Sequence, residues 1–399
     1  MGLAARTFSR QDVVKNIPLT EIEITQVHSG AELDAFIKFP WRIYKHDPVW
    51  VPPLLIERKA FLNRKTHPFY KHGDAALFLA RLNGEVVGRI MASDDPRYNA
   101  FHKSNVGCFG LFECIKDGEV AGALFAAAEE WLQARGRTEM MGPIDYSTNY
   151  VCALLIDGFQ HPPTLLTSHN PPYYAELIEG CGFTKAKDWY AWLFTEFPRP
   201  IERLRRIAEA RAGRHGVNIR PVDPKKIVEE SRHLQAVYDQ AWERNWGFVP
   251  FTRAESEYMA QEMKPLIIPR SVLIAEIGGA PVGFAICIPD INVALRHLNG
   301  RLTRFGLPIG LIKLLYYRRK IRLVRFIALG VVEKYRHAGI AETLVLQIGD
   351  EVLKRKSIGE LSMTLEDNFM VNRFVAAIGA TRYKTYRIYQ RAVNGKGMK

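Results

Sequence analysis

Alternating runs of apolar and polar residues divide the chain into two halves with the same order of predicted elements. Residues 76–92 form two apolar runs around an Asn-Gly dipeptide, which is the strongest short signal for a β-hairpin. Residues 272–286 repeat this pattern around a Gly-Gly dipeptide. Each hairpin is followed by a strand, a long amphipathic helix, a short strand, a second helix and a closing strand. This order predicts an α/β fold in each half.

Two pairs of glycines measure the offset between the halves. Gly88 and Gly283 follow the hairpin turns and lie 195 residues apart. Gly182 and Gly379 precede the closing strands and lie 197 residues apart. Because two independent landmarks have nearly the same offset, the sequence indicates a duplicated domain.

The boundary between the predicted domains falls at residues 197–200, where prolines end the last strand of the first half. We therefore expect one domain over residues 1–198 and a second over residues 199–399. The long helices are predicted over residues 118–136 and 339–356. Two domains also suit the length of 399 residues, which is long for one core.

A strand–helix junction in the second half has the composition of a phosphate-binding turn. An apolar run over residues 323–332 leads into Arg336-x-x-Gly339-x-Ala341, and a helix opens immediately. A helix start has unpaired backbone N–H groups, and small residues let a phosphate approach them. The turn resembles motif A of the GNAT acyltransferase superfamily, which holds the pyrophosphate of coenzyme A. An ordinary junction with a solvated arginine is the alternative.

The resemblance covers nearly the whole chain and implies two tandem GNAT-like domains, each a mixed twisted sheet flanked by helices. It implies acyl-CoA as the donor, no metal ion, and the second half as the donor-binding half. An acyl carrier protein is an alternative donor because it presents the same phosphopantetheine. The cofactor-binding residues implied are Leu329, Gly330, Val331, Arg336, His337, Ala338, Gly339, Ile340, Ala341, Asn368 and Asn372. Asn368 is equally a candidate helix N-cap.

The first half departs from the GNAT pattern. No Arg-x-x-Gly-x-Gly/Ala turn follows its strand at residues 106–112, so we expect a degenerate copy that shapes the acceptor side. The chain also resembles the bacterial ceramide synthase family through Trp50-Val-Pro-Pro-Leu, Met141-Gly-Pro and Asn170-Pro-Pro-Tyr-Tyr. That resemblance implies a long-chain sphingoid amine as the acyl acceptor.

Acyl transfer to an amine requires a group that takes up a proton. The candidate catalytic residues are His169, Glu113, Tyr173 and Glu366. His169 has a suitable ordinary pKa, although a surface histidine beside core tyrosines is the alternative interpretation. Glu366 is a candidate by location alone. Many GNAT members place a tyrosine acid four residues before the glycine of the closing turn, where this chain has Val375.

A basic and apolar insertion spans residues 290–320, before the strand that leads into the turn. Residues 291–332 contain nine Lys or Arg and no Asp or Glu. Exposed apolar side chains beside dense positive charge are typical of a segment that lies on an anionic membrane surface. Binding to an acidic acyl carrier protein and simple coverage of the domain core are the alternatives.

The remaining composition sets the expected compartment and excludes some partners. The net charge of +13 favours anionic partners, but no known nucleic-acid-binding motif accompanies it. The five scattered cysteines indicate reduced thiols. Neither a secretory signal nor a run of 18 apolar residues is present. We expect a cytoplasmic protein, either free or peripheral on the inner face of the cytoplasmic membrane.

Together these patterns predict an N-acyltransferase that uses acyl-CoA or an acyl carrier protein. The expected acceptor is a lipid-like amine such as a sphingoid base. A soluble acetyltransferase that acts on a small amine is the first alternative. A non-catalytic GNAT-like binding protein is the second, and the missing tyrosine is the main argument for it.

Overall fold

The structure, a computed structural model, describes residues 21–198 and 201–393. It has the mixed α/β fold that the sequence predicts, with helices packed against one continuous sheet. The predicted domain boundary includes residues 199 and 200, which lie outside the described residues.

The elements of the first half are as follows. The strands are β1 (Ile22–Gln26), β2 (Asp74–Leu82), β3 (Glu85–Asp94), β4 (Val106–Cys114), β5 (Glu139–Gly142), β6 (Leu154–Asp157) and β7 (Thr184–Phe194). The helices are α1 (Gly30–Lys38), α2 (Pro40–Ile43), α3 (Leu55–Phe61), α4 (Pro96–His102), α5 (Gly118–Gln133) and α6 (Tyr174–Gly180).

The second half repeats this order. The strands are β8 (Val217–Pro221), β9 (Val272–Ile277), β10 (Ala280–Pro289), β11 (Leu323–Val331), β12 (Ile358–Leu365) and β13 (Thr381–Ala392). The helices are α7 (Ile201–Arg214), α8 (Ile227–Trp242), α9 (Arg253–Met263), α10 (Asn292–Leu295), α11 (Ile309–Arg318), α12 (Ile340–Lys354) and α13 (Phe369–Ala377).

Both predicted hairpins and both predicted long helices are present. The hairpins are β2–β3 and β9–β10, and the helices are α5 and α12. Asp117 caps α5 by accepting hydrogen bonds from the backbone N–H groups of Glu119 and Val120. α12 buries an apolar stripe that includes Ile340 and Leu344, which lie one turn apart.

The two halves exchange their closing strands. The strand order is β1-β2-β3-β4-β5-β13-β7-β12-β11-β10-β9-β8, and β6 also pairs with β13. The last strand of the chain therefore completes the first half, and β7 completes the second. The sequence pattern predicts a separate sheet in each half, whereas the exchange joins both into one.

In the second half, two parallel strands separate and leave a gap in the sheet. β11 and β12 pair only over Leu323–Phe326 and Ile358–Leu361. β11 continues to Val331 and β12 to Leu365. Beyond Phe326 the strands diverge, and we call the space between them the β11–β12 wedge. β4 and β5 pair over a similarly short stretch in the first half.

The insertion at residues 290–320 contains α10 and α11 and is held by the first half. Trp41 Nε1 donates to Asn299 Oδ1 at 2.6 Å, and the Leu55 N–H donates to the Gly300 carbonyl at 2.9 Å. Among the described residues, none of the helices combines the length and the apolar character needed to cross a bilayer.

Candidate active site

An apolar cavity of about 320 Å³ lies beside the β11–β12 wedge. The ends of the two diverging strands contribute Ile327, Ala328, Met363 and Leu365 to its wall. Helices α8 and α9 form a second wall, which includes Leu234, Tyr238, Trp242, Met259, Ala260 and Met263. The volume lies at the lower end of the range for small-molecule sites, which is roughly 300–1,000 Å³.

The first half also contributes to the wall of the cavity, through Thr148, Asn149, Tyr150, Cys152, Leu166 and Trp189. Asn149 connects the halves: its Oδ1 accepts from Tyr238 Oη at 2.6 Å, and its Nδ2 donates to the Val249 carbonyl at 3.0 Å. The cavity is therefore shared between the halves.

The Arg336–Ala341 turn lies at the end of β11, as motif A requires. α12 begins at Ile340, so the N–H groups of Ile340, Ala341 and Glu342 have no intrahelical acceptor. Arg336 is exposed, and its Nη2 donates to the Ala241 carbonyl at 2.9 Å. Free amides beside an arginine at a helix start suit a phosphate group.

The other residues of this turn differ in exposure and in conformation. His337 is exposed, whereas Ala338 and Gly339 are buried. The Ala338 N–H donates to the Tyr335 carbonyl at 3.0 Å, and this bond holds the turn closed. Gly339 has a φ of +73°, which favours glycine.

The backbone of β11 offers alternate residues to the wedge. The Val332 N–H donates to the Val282 carbonyl of β10 at 2.9 Å, so the alternation of an antiparallel pair directs Gly330 toward β10. The Leu329 carbonyl accepts from Trp242 Nε1 at 3.1 Å, on the opposite side. Leu329 and Val331 therefore present backbone groups to the wedge, and Gly330 does not.

Asn368 and Asn372 have structural contacts at the start of α13. Asn368 accepts a hydrogen bond from the Val371 N–H at 3.3 Å and is the helix N-cap. Asn372 Nδ2 donates to the Leu365 carbonyl at 2.9 Å and so holds the end of β12. The backbone of the wedge rim is fixed by these two contacts.

Glu113 lies in a buried polar cluster of the first half. Its Oε2 accepts from Tyr44 Oη at 2.9 Å and from Tyr174 Oη at 2.7 Å. Arg89 Nη2 lies 3.5 Å from Glu113 Oε1. Burial raises the pKa of Glu113, although Arg89 opposes that shift. The cluster surrounds the end of β4, and Glu113 does not line the cavity.

His169 and Tyr173 lie close to this cluster. His169 Nε2 lies 2.7 Å from Asp47 Oδ2, and burial lowers the pKa of His169 although Asp47 opposes it. Tyr173 Oη donates to the Cys114 carbonyl at 2.8 Å. The structure therefore brings His169, Tyr173 and Glu113 together, but away from the wall of the cavity.

Glu366 is held in an ion pair at the end of β12. Its Oε2 accepts from Lys185 Nζ at 2.6 Å, and its Oε1 accepts from the Asp188 N–H at 3.0 Å. It does not line the cavity. Val375, at the position of the expected tyrosine acid, is buried in an apolar cluster.

Sequence reasoning missed a group of buried charges at the point where β11 and β12 separate. Arg325, Glu360, Lys384 and Asp290 are each at most 3 % exposed. Burial raises the pKa of Asp290 to about 7 and lowers that of Lys384 to about 8. The available signal was a charged residue inside each of the apolar strands β11, β12 and β13 and another directly after β10, because buried charges with shifted pKa values cluster at functional sites.

No protein-family model matches the chain. The chain is 35 % identical over 370 residues to protein YghO of Escherichia coli strain K12. The matched region covers 91 % of this chain and 93 % of YghO. The chain is also 35 % identical over 387 residues to the bacterial ceramide synthase of Caulobacter vibrioides. That matched region covers 94 % of this chain and 98 % of that enzyme.

Among solved structures, a tandem GNAT protein from the clavulanic acid biosynthesis pathway resembles the chain with a TM-score of 0.55. The sequences are 13 % identical, and the match covers 94 % of this chain and all of the other. At that identity the similarity concerns the fold alone. It confirms the predicted tandem GNAT fold.

Proposed function

Because the chain belongs to the family that includes the bacterial ceramide synthase of Caulobacter vibrioides, and is an acyltransferase, we propose that its acceptor is a long-chain amine. The proposed reaction forms an amide between an acyl group carried by coenzyme A and a lipid-like amine such as a sphingoid base. The reaction would take place in the β11–β12 wedge.

The observation that carries this proposal is the apolar cavity beside the wedge. Its wall combines aliphatic and aromatic side chains from both halves, and among the described residues that line it none is Asp or Glu. Many of them, such as Trp246, Met263 and Ile267, are only partly buried. Burial of alkyl chains in such a site contributes about 0.8 kcal/mol per methylene group. A polyamine would find no carboxylate there, so the cavity disfavours the small-amine alternative.

The second half has the groups that an acyl-CoA donor requires. The exposed Arg336 and the free N–H groups at the start of α12 suit its pyrophosphate. The backbone groups of Leu329 and Val331 face the wedge, on β11 between this turn and Ala328 of the cavity wall, and suit the amide-bearing arm. The residues present therefore fit the donor.

An exposed apolar surface on the insertion supports a lipid acceptor. We call it the docking face, and its residues are Phe305, Leu307, Ile309, Leu311, Ile312, Leu315 and Tyr316. The basic residues among and beside them are Arg304, Lys313, Arg318, Arg319 and Lys320. Apolar side chains interleaved with cations match the surface of an anionic bilayer, where each cation contributes about 1 kcal/mol. We propose that this face binds the membrane from which the acceptor is taken.

The docking face is connected to the cavity. Arg318 Nη2, at the end of α11, donates to the Pro265 carbonyl in the 3-10 turn over Lys264–Leu266. Met263 and Ile267 lie on either side of this turn and line the cavity. A lipid tail that leaves the membrane beside α11 would therefore be near the cavity.

Mass spectrometry on the purified full chain tests the proposed reaction. Palmitoyl-CoA, acetyl-CoA and a palmitoylated acyl carrier protein would each be paired with sphinganine, with polyamines and with amino acids. The expected product is N-palmitoyl sphinganine from palmitoyl-CoA. Acetylated small amines as the only products would contradict the proposal, and a product from the carrier protein alone would change the donor.

A pair of variants tests the donor site. Arg336→Ala should weaken palmitoyl-CoA binding about tenfold, because a charge-assisted hydrogen bond to phosphate is lost. Lys334→Ala is the matched control, since Lys334 is an exposed cation two residues earlier. Equal affinities of the two variants would contradict the assignment of Arg336.

A further inference from the structure

The buried charges at the vertex of the wedge lie close together, and Arg325, Glu360 and Tyr383 form a connected network. Arg325 Nε lies 3.4 Å from Glu360 Oε2, and the two residues are paired across β11 and β12. Tyr383 Oη lies 3.4 Å from Glu360 Oε1. Lys384 Nζ donates to the Pro162 carbonyl at 2.8 Å, in the first half. Buried ion pairs contribute little to stability because their desolvation is costly. The position of these charges beside the cavity therefore indicates a role other than stability.

Ser362 connects this network to the cavity. Its hydroxyl donates to Glu360 Oε2 at 2.8 Å and accepts from Arg325 Nε at 2.9 Å. Ser362 and Arg325 both line the cavity, whereas Glu360 is fully buried behind them. A serine hydroxyl has one donor and two acceptor positions, so one acceptor position is left for a group in the cavity.

We propose that Glu360 takes up the proton of the acceptor amine and that Ser362 relays it. This inference rests on the proposed acyl transfer in the same cavity. The acceptor ammonium gives a proton to Ser362 Oγ as Ser362 gives its own proton to Glu360. The neutral amine then attacks the thioester carbon, the C–S bond breaks, and a second amine proton leaves with the sulfur as the thiol. Glu360 later returns its proton to solvent.

The surroundings of Glu360 suit this role. Burial raises its pKa, and Arg325 is the main opposing influence, so the carboxylate is a better proton acceptor than an exposed one. The other titratable groups near it are Lys384, Tyr383 and Tyr386 of β13, Cys287 of β10 and Asp290 directly after β10. A second carboxylate, Glu255, is linked to the cavity wall through the hydroxyl of Tyr150 at 3.2 Å. Burial raises the pKa of Glu255, but hydrogen bonds from His72 and Thr252 outweigh burial and lower it, so Glu255 is the weaker proton acceptor.

The test compares the pH dependence of N-acyl product formation by the full chain and by Ser362→Ala. At pH 7 the variant should lose about 10²-fold in kcat, the usual contribution of proton transfer by a positioned group. The deficit should shrink to less than about tenfold by pH 9, because more of the amine is then already neutral. The affinity for palmitoyl-CoA, measured by calorimetry, should stay within about twofold. Retention of kcat across this range would overturn the relay, as would an equal loss at every pH.

Additional variants separate the relay from packing. Ser362→Thr keeps the hydroxyl and should retain at least about a third of the activity, and a loss as large as in Ser362→Ala would overturn the relay. Glu360→Gln should add no further loss to Ser362→Ala, because both act in one step. If Glu360→Gln does not fold, Ser362→Ala alone decides. Ser93→Ala removes another buried hydroxyl, in the first half, and should be fully active. Absence of any N-acyl product from the unmodified chain would instead reject the proposed function, and the relay with it.

Discussion

Gly339 is the N-cap of α12 where α7 packs against it, and a Cβ atom at Gly339 would lie 2.6 Å from the Ala208 carbonyl oxygen. The glycine also has a φ of +73°, which costs other residues about 1–2 kcal/mol. In this chain the glycine of the Arg336–Ala341 turn is therefore required for two reasons. It adopts the left-handed conformation of the turn, and it lets α7 pack against the start of α12.

The first prediction is that Gly339→Ala lowers the free energy of unfolding by more than the φ cost alone. Displacement of α7 by the new methyl group should bring the loss to about 3 kcal/mol, measured by urea denaturation. Gly216→Ala is the matched control, because Gly216 has a φ of +65° and a Cβ atom at that position would have no neighbouring atom within 4 Å. Equal losses in the two variants would show that contact with Ala208 is unimportant.

Local sequence patterns predicted the elements well, but not their long-range arrangement. Hairpins and helices depend on nearby residues, so the Asn-Gly turn before Glu85 and the stripe beginning at Ile340 were sufficient. The exchange of β7 and β13 depends on pairing between distant segments, and either closing strand suits either half. The buried network was not predicted because the local pattern around Glu360 and Ser362, two residues apart on β12, does not indicate a cavity. The cavity lies beside these residues only because β11 and β12 diverge.

The strand exchange predicts that neither half folds alone. Residues 1–198 lack β13, which pairs with β5, β6 and β7, so an open edge would remain in the middle of the sheet. We expect this fragment to aggregate alone and to form a soluble complex when co-expressed with residues 199–399. Size-exclusion chromatography distinguishes these outcomes. Cooperative unfolding of the isolated fragment 1–198 would contradict the prediction.

The cavity predicts chain-length selectivity. Ala260 on α9 lines the cavity, and Ala260→Trp would fill part of its 320 Å³. The rate with palmitoyl-CoA and sphinganine should fall at least about tenfold, whereas acetyl-CoA with a short alkylamine should lose less than about threefold. Ala254→Trp is the control, because Ala254 lies on the same helix outside the cavity wall. Equal losses of rate for long-chain and short-chain substrates would show that the cavity does not bind the alkyl chains.

His72 predicts how stability changes with pH. Its Nδ1 lies 3.4 Å from Asp95 Oδ1, and its Nε2 lies 3.3 Å from Oε2 of Glu255 on α9, so His72 connects the two halves. Burial lowers its pKa, but the two carboxylates outweigh this effect and raise the pKa from 6.5 to about 9. Between pH 6.5 and about pH 9, His72 therefore carries a proton in the folded state but not in the unfolded state. The resulting stabilisation is complete below about pH 6.5 and disappears as the pH rises through about 9.

His72→Gln should remove this pH dependence. The variant should have a lower free energy of unfolding than the unmodified chain at pH 6.5. This deficit should be about 1–2 kcal/mol larger at pH 6.5 than at pH 9. Urea denaturation at the two pH values measures the difference. His46→Gln serves as the control because His46 is exposed. A deficit that is the same at both pH values would show that the ion pairs of His72 do not depend on its charge.

The docking face predicts binding to anionic vesicles. Ile312 is 62 % exposed among the cations of α11, so Ile312→Asp should abolish most flotation with vesicles that contain phosphatidylglycerol. The loss of an apolar contact and the repulsion of the new carboxylate from the bilayer act in the same direction. Ile56→Asp is the matched control, because Ile56 is 66 % exposed on α3, outside the docking face. If Ile312→Asp floats normally but loses binding to an acyl carrier protein, the partner of this face is the carrier protein. Equal behaviour of both variants in both assays would leave coverage of the core as the role of the insertion.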